Sequence, residues 1–194
     1  MVTFPPYLAS SGWYCRWLRQ LTADTHGNEE PVDTYGSRFY SREYARTTIL
    51  DAHQSPMLLS MAVEGGARSL RDISQLNSIR LSDHGNWRRN HILAIEAAYG
   101  RTPFFHLLAD KILEVYKDES IVTLRNFNIA LHYLISQQLF INLEPKRLHH
   151  LAVNEEIIKR GKELAEEINP EISVLDPLMK LGPEAITGIF ALYI

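Results

Sequence analysis

The run Asp83-His84-Gly85-Asn86-Trp87-Arg88-Arg89-Asn90-His91 concentrates side chains that can do chemistry. Arg88 stands one helical turn before His91, so on a helix the two share a face. A guanidinium presents two parallel donors to a carboxylate or a phosphate. An imidazole beside it can serve as a general base near neutral pH. Asp83 or Asn86 fits the cap of such a helix, and the free N–H groups at a helix start attract anions. His84 would then stand just outside the helix. The same residues have a second explanation: Asp83 and Asn86 only cap, Trp87 packs, and His91 is a satisfied interior residue. Both readings stay open at the level of the residues.

Three further sets carry weaker signals. Thr102-Pro103-Phe104-Phe105-His106 offers an aromatic pair that could line a pocket or fill a core. Arg38, Arg42 and Arg46, interleaved with Tyr35, Phe39, Tyr40 and Tyr44, would form a basic stripe if the segment were helical. The alternative there is a solvated face with aromatic packing. Leu148-His149-His150-Leu151 is a poor metal pair, because adjacent residues point to different sides of a helix. His53 and His132 stand alone, so no metal site is expected. The chain has no G-x-x-x-x-G-K-[ST], G-x-G-x-x-G, G-x-S-x-G or H-E-x-x-H motif, which disfavours the common nucleotide, hydrolase and zinc-peptidase chemistries.

The elements that must position these residues divide the chain unevenly. Ser10 or Ser11 is expected to cap a helix carrying Trp13, Trp17 and Leu21. Val2-Thr3-Phe4 reads as a short strand before Pro5-Pro6, and His26 to Gly36 as a loop. Thr47 to Leu50 and Met57 to Val63 flank Gln54-Ser55-Pro56 and predict two strands. The second, nearly continuous in apolar residues, is expected to be covered on both faces. Asn77 to Leu81 is a candidate third strand.

From Trp87 the pattern turns helical. One helix is expected from Trp87 to Tyr99, ending at Gly100. A second should start at Thr102-Pro103, with the threonine as cap and the proline at the first position, and carry Phe104, Leu108, Ile112 and Val115 inward. A third begins near Thr123 and carries Leu124, Phe127, Leu131, Leu134 and Ile135. Asn154 should cap a fourth with Ile157, Gly161, Leu164 and Ile168 inside, and a short last helix should run from Ser173 to Gly182-Pro183. The expected fold is α/β of the α+β kind: a small sheet from the N-terminal part with packed helices, then a mainly helical C-terminal half. We expect one domain over 1–194, strand-containing to about 82 and helical from about 83.

Composition sets the outer limits. The chain has 194 residues, 45% of them hydrophobic and 22% charged, which is enough apolar material for a real core. A formal net charge of −3 gives no field that favours nucleic acid. The lone cysteine, Cys15, cannot form an intramolecular disulfide and fits a reducing, cytoplasmic setting. The N-terminus does not look like a signal peptide, and the apolar run from Ala185 to Ile194 is too short to span a bilayer.

Several segments together resemble one family. Ile79-Arg80-Leu81-Ser82-Asp83-His84-Gly85-Asn86-Trp87-Arg88, then His91, Tyr99-Gly100 and Thr102-Pro103-Phe104-Phe105, look like the signature of the WbqC-like family. The similarity continues in Leu124-Arg125-Asn126-Phe127-Asn128, Ser173-Val174-Leu175-Asp176 and Gly182-Pro183-Glu184-Ala185. Upstream, Pro5-Pro6-Tyr7, Arg46-Thr47-Thr48-Ile49 and Leu58 to Val63 keep the expected order. Three positions depart: Ala45 stands where the family usually has Asn, Asn126 where it has Asp, and Pro177 where it has an aliphatic residue.

The resemblance implies a place among cell-surface polysaccharide proteins such as those of O-antigen. It also implies an acyl or aminoacyl (glycyl) transferase acting on sugar-nucleotide or glycan precursors. His91 and His84 would be the catalytic candidates. Arg46, Trp87, Arg88, Tyr99, Phe104, Phe105 and Asn128 would bind substrate, without metal or cofactor. The expected partner is a small molecule, a sugar nucleotide or an amino-acid donor, with a homodimer as the oligomer to test. The alternative is a non-enzymatic binding or scaffold module in which Trp87, Arg88 and His91 are purely structural.

Overall fold

The first helix starts where a serine can start it. The Ser10 hydroxyl accepts from the Trp13 N–H at 3.3 Å and opens α1 (Ser11–Ala23). The computed structural model describes residues 5–23, 40–140 and 154–192, so the expected strand at Val2, the loop at His26, Arg38 and the His149-His150 pair lie outside the described residues.

β1 (Arg46–Leu50) and β2 (Pro56–Ser60) form an antiparallel pair with Arg46 opposite Ser60 and Ile49 opposite Met57. The Asp51 carboxylate holds the connection by accepting from the His53 and Ser55 N–H groups, both at 2.8 Å. Inward Thr47 and Ile49 alternate with more exposed neighbours on β1. The second strand departs from expectation: Leu59 is buried, but Leu58 is 57% exposed and the strand ends at Ser60. Among the described residues nothing covers the outer face of this two-stranded sheet, so an apolar run is not enough to bury both sides. The expected strand at Asn77 is instead a 3₁₀ turn (Ile73–Ser78), followed by single bridges from Leu81 to Val63 and from Arg80 to Thr123.

The helical half follows its periodicity. α2 (Trp87–Tyr99) ends at Gly100, which stays right-handed at φ −58°. α3 (Phe105–Lys117) starts later than expected, because the Thr102 hydroxyl donates back to the Tyr99 carbonyl at 2.7 Å and caps nothing ahead of it. α4 (Leu124–Phe140) follows Thr123, whose hydroxyl accepts from the Asn126 N–H at 3.2 Å. Asn154 caps α5 (Glu155–Ala165) through its side-chain oxygen, at 3.0 and 3.1 Å from two N–H groups. α6 (Leu175–Leu181) and α7 (Ala185–Ala191) close the chain, α7 being a helix that the sequence pattern did not separate.

The two ends of the described chain meet. Ser11 and Gly12 donate to the carbonyls of Ile172 and Pro170, both at 2.9 Å, and Ser173 donates to Thr48 at 2.8 Å. α5 and α7 lie close because Gly161 leaves room: a Cβ there would sit 2.9 Å from the Ala191 methyl and the Thr187 carbonyl. The core joins both halves through Tyr7, Leu18, Ile49, Ile95, Ile112, Phe127 and Leu178, all buried. The architecture is α+β with a small sheet and a helical C-terminal half. Among the described residues, no helix is long and apolar enough to cross a membrane.

Candidate functional site

The Trp87-Arg88-His91 face of α2 points into the protein. His91 is 4% exposed. Its Nδ1 lies 2.7 Å from the Tyr7 hydroxyl, which lies 2.6 Å from the Tyr116 hydroxyl. The ring also bonds the Ser60 backbone, a contact that favours the protonated ring and so fits a carbonyl acceptor. That assigns the tautomer: the ring N–H donates to Ser60, Nδ1 accepts from Tyr7, and Tyr116 donates to the Tyr7 oxygen. Burial dominates and pushes the imidazole down to about 4. A neutral, fully partnered imidazole of this kind holds three elements together and is not available to a substrate.

Arg88 is likewise consumed by the fold. One terminal nitrogen donates to the Tyr116 and Asp118 carbonyls at 3.3 and 3.1 Å, and the other to Ile121 at 2.6 Å. These carbonyls lie at the C-terminal end of α3 and just beyond it, where a helix leaves acceptors unpaired and favours a cation. The guanidinium also lies 5.0 Å from the Trp87 ring and 5.1 Å from the Phe127 ring. Trp87 is buried, and its indole N–H donates to the Ser82 carbonyl at 2.8 Å. Neither Asp83 nor Asn86 caps α2 through its side chain. Gly85 and Asn86 turn into the helix through left-handed conformations, φ 75° and 50°.

Three more expected site residues are packed into the fold. Tyr99 is buried near the Leu50 end of β1 and feels the Asp176 carboxylate. Phe104 lays its ring against Gly182, whose φ of 56° and lack of a side chain allow it. Asn128 is buried and donates to the Tyr44 carbonyl at 2.8 Å, which fixes the approach to Arg46. Phe105 is half-buried, edge-on to His106 at 5.8 Å, and lines no cleft described below.

The two remaining candidates come together elsewhere. Arg46 and His84 line one cleft of about 670 Å³, with Arg42, Ser60, Val63 and Gly65 among its other walls. The expected helical stripe is not a helix: Arg42 lies in a 3₁₀ turn (Tyr40–Tyr44) and Arg46 opens β1. The bend between them still aims both at the same space. Among the described residues neither arginine forms an ion pair. Glu64, the acid on this lining, faces Arg80 at 3.4 Å. The rim is a tight turn at Gly65 and Gly66, with φ of 75° and 61°, conformations that favour glycine. His84 is exposed, and its N–H donates to the Ser82 hydroxyl at 3.3 Å. A cleft with two guanidiniums, an imidazole and a floor of Met61, Ala62 and Leu70 suits an anionic group attached to a less polar body.

On its other side Arg46 borders a smaller cavity of about 320 Å³, with Trp13, Glu43, Thr48 and Glu171 in its walls. These residues carried no signal in the sequence, because they come from four separate segments.

The model of the WbqC-like protein family matches residues 37–169, most of the chain. The chain belongs to the WbqC-like protein family. No curated protein and no solved structure matches it. The match includes both arginines of the larger cleft, His84 and the whole Trp87-to-His91 face.

Proposed function

We propose that the chain is a transferase of cell-surface polysaccharide biosynthesis that moves an acyl or aminoacyl group onto a sugar nucleotide or related glycan precursor. In this reading the cleft between β1, the Gly65–Gly66 turn and the start of α2 holds the substrate. Arg42 and Arg46 bind its phosphate or carboxylate, and His84 is the general base. The observation that carries it is the convergence of Arg42, Arg46 and His84 on one open cleft. His84 takes an acceptor proton as the hydroxyl or amine attacks the donor carbonyl. The new C–O or C–N bond forms, the bond to the donor's leaving group breaks, and the proton passes to that group. Buried His91 has no access to such a step.

The test is a thermal-shift screen with uridine- and guanosine-diphosphate sugars, since a ligand of the native state raises stability by mass action. A shift that disappears in Arg46→Ala supports the reading, and no shift with any sugar nucleotide ends it.

A second reading, a non-enzymatic binding module, draws on the structural role of Arg88 and His91. It keeps the ligand and removes the chemistry. Turnover of the bound nucleotide sugar that is lost in His84→Ala, at unchanged stability, decides for the transferase.

A further inference from the structure

The helical half leaves apolar side chains in water on one face. α3 and α4 pack side by side across the short connection from Asp118 to Thr123. A groove of about 340 Å³ lies between them, with Val115, Ile121, Ala130, Tyr133 and Leu134 in its walls. Tyr133 is 59% exposed. Leu107, in the first turn of α3, is 69% exposed, and Val122, just past its last, 41%. Large apolar side chains grouped at a groove mark an interaction surface, because covering them releases water.

The charges on this face select its partner. Leu107, Lys111, Glu114 and Asp118 form one exposed stripe of α3, with successive members three or four residues apart, and the last three line the groove. Among the described residues Lys111 and Glu114 form no ion pair. The α4 side of the groove adds only uncharged Ala130, Tyr133 and Leu134. The Asp118 carboxylate is engaged by the Ser120 N–H and hydroxyl, at 2.9 and 2.6 Å. Turning α3 end for end about a point between Ile112 and Leu113 exchanges Lys111 with Glu114 and Leu107 with Asp118. A two-fold axis through that point therefore sets Lys111 of each copy against Glu114 of the other. It also brings Leu107 to the Ile121–Val122 end of the other copy's groove. A partner of one charge sign would match only one of the two side chains; a second copy matches both.

We propose that this face is a homodimer interface, with the α3 helices of two copies antiparallel across a two-fold axis and a Lys111–Glu114 pair on either side of it. The face is one α3 long, about 20 Å at about 1.5 Å per residue, and two helices wide. That size suits a weak dimer that forms as concentration rises. α3 and α4 supply no wall of the larger cleft, so the interface stands independently of the transfer reading above.

The experiment is sedimentation velocity of the full chain from low to high micromolar concentration, repeated with Lys111→Glu, with Glu114→Lys and with an equimolar mixture of the two variants. Both positions are exposed, so each variant is expected to keep the unfolding midpoint of the native chain. The native chain is expected to pass from monomer to dimer as concentration rises. Lys111→Glu sets acid against acid across the axis, and Glu114→Lys sets ammonium against ammonium. Each variant alone is expected to weaken the dimer about tenfold or more. The mixture sets two acids of one copy against two ammonium groups of the other, so the dimer is expected to return. A native chain that stays monomeric throughout, a dimer that both substitutions leave intact, or a mixture that fails to recover it overturns the proposal.

Discussion

Two regions of this protein hold an arginine beside a histidine, and they put the pair to opposite uses. Under α2, Arg88 gives its donors to three backbone carbonyls, and His91 is locked between Tyr7 and Ser60. At the larger cleft, Arg46 and His84 face open space. What separates a clamp from a ligand site is not residue type but where the polar atoms find partners. A buried donor must be satisfied inside the protein, and the carbonyls of the α3–α4 connection take three hydrogen bonds from the half-buried Arg88. Among the described residues, Arg42 and Arg46 at the cleft form no ion pair.

The comparison breaks first at His91. His91→Ala removes a buried ring and leaves the Tyr7 hydroxyl without its acceptor, so we expect a loss of about 3 kcal/mol by urea unfolding. A stable His91→Ala protein that has lost ligand binding would move His91 into the site and reverse the assignment. Arg88→Ala should cost about 2 kcal/mol by the same measurement, because three carbonyls lose a charged donor. Arg88→Lys should recover little of it, since an ammonium cannot span the fork.

Acid provides a third test. The rings of His91 and His132 are each pushed down to about 4 by burial, from an ordinary value of 6.5. The unfolded chain therefore takes up protons first as pH falls. Stability is full above pH 6.5 and declines from there to about 4, below which these two groups add no further loss. Unfolding midpoints across that window measure it, and in His91→Phe the decline should be shallower.

The smallest effect on stability is expected at the cleft. Arg46→Ala and His84→Ala should each change stability by less than about 0.5 kcal/mol, as surface changes usually do, while sugar-nucleotide affinity falls about tenfold in Arg46→Ala. A large loss of stability in Arg46→Ala would erase the distinction between the regions.

Much of the secondary structure was legible because its signals are local. The Ser10 and Asn154 caps, the extent of α2 and the turn at Asp51 each depend on residues within a few positions of one another. The misread elements fail for nonlocal reasons. Met57 to Val63 carries an apolar run, but among the described residues no third strand or covering layer buries Leu58. Thr102 has the chemistry of a cap, but the Tyr99 carbonyl takes its hydroxyl. The site was legible only in part. Arg46 and His84 were marked as candidates, whereas Trp13, Glu43 and Glu171 gave no sign of sharing a cavity.

The sequence by itself determined the family, the α+β class, the helices and the set of arginines and histidines worth watching. Periodicity, capping and motif order are properties of neighbouring residues, and no distant partner is needed to read them. Only the tertiary structure decided which of those side chains are spent. Tyr7 reaches His91 across 84 positions, and Ile121 reaches Arg88 across 33. The burial of His91 and three backbone hydrogen bonds tie one arginine–histidine pair into the fold, while the other pair lines an open cleft.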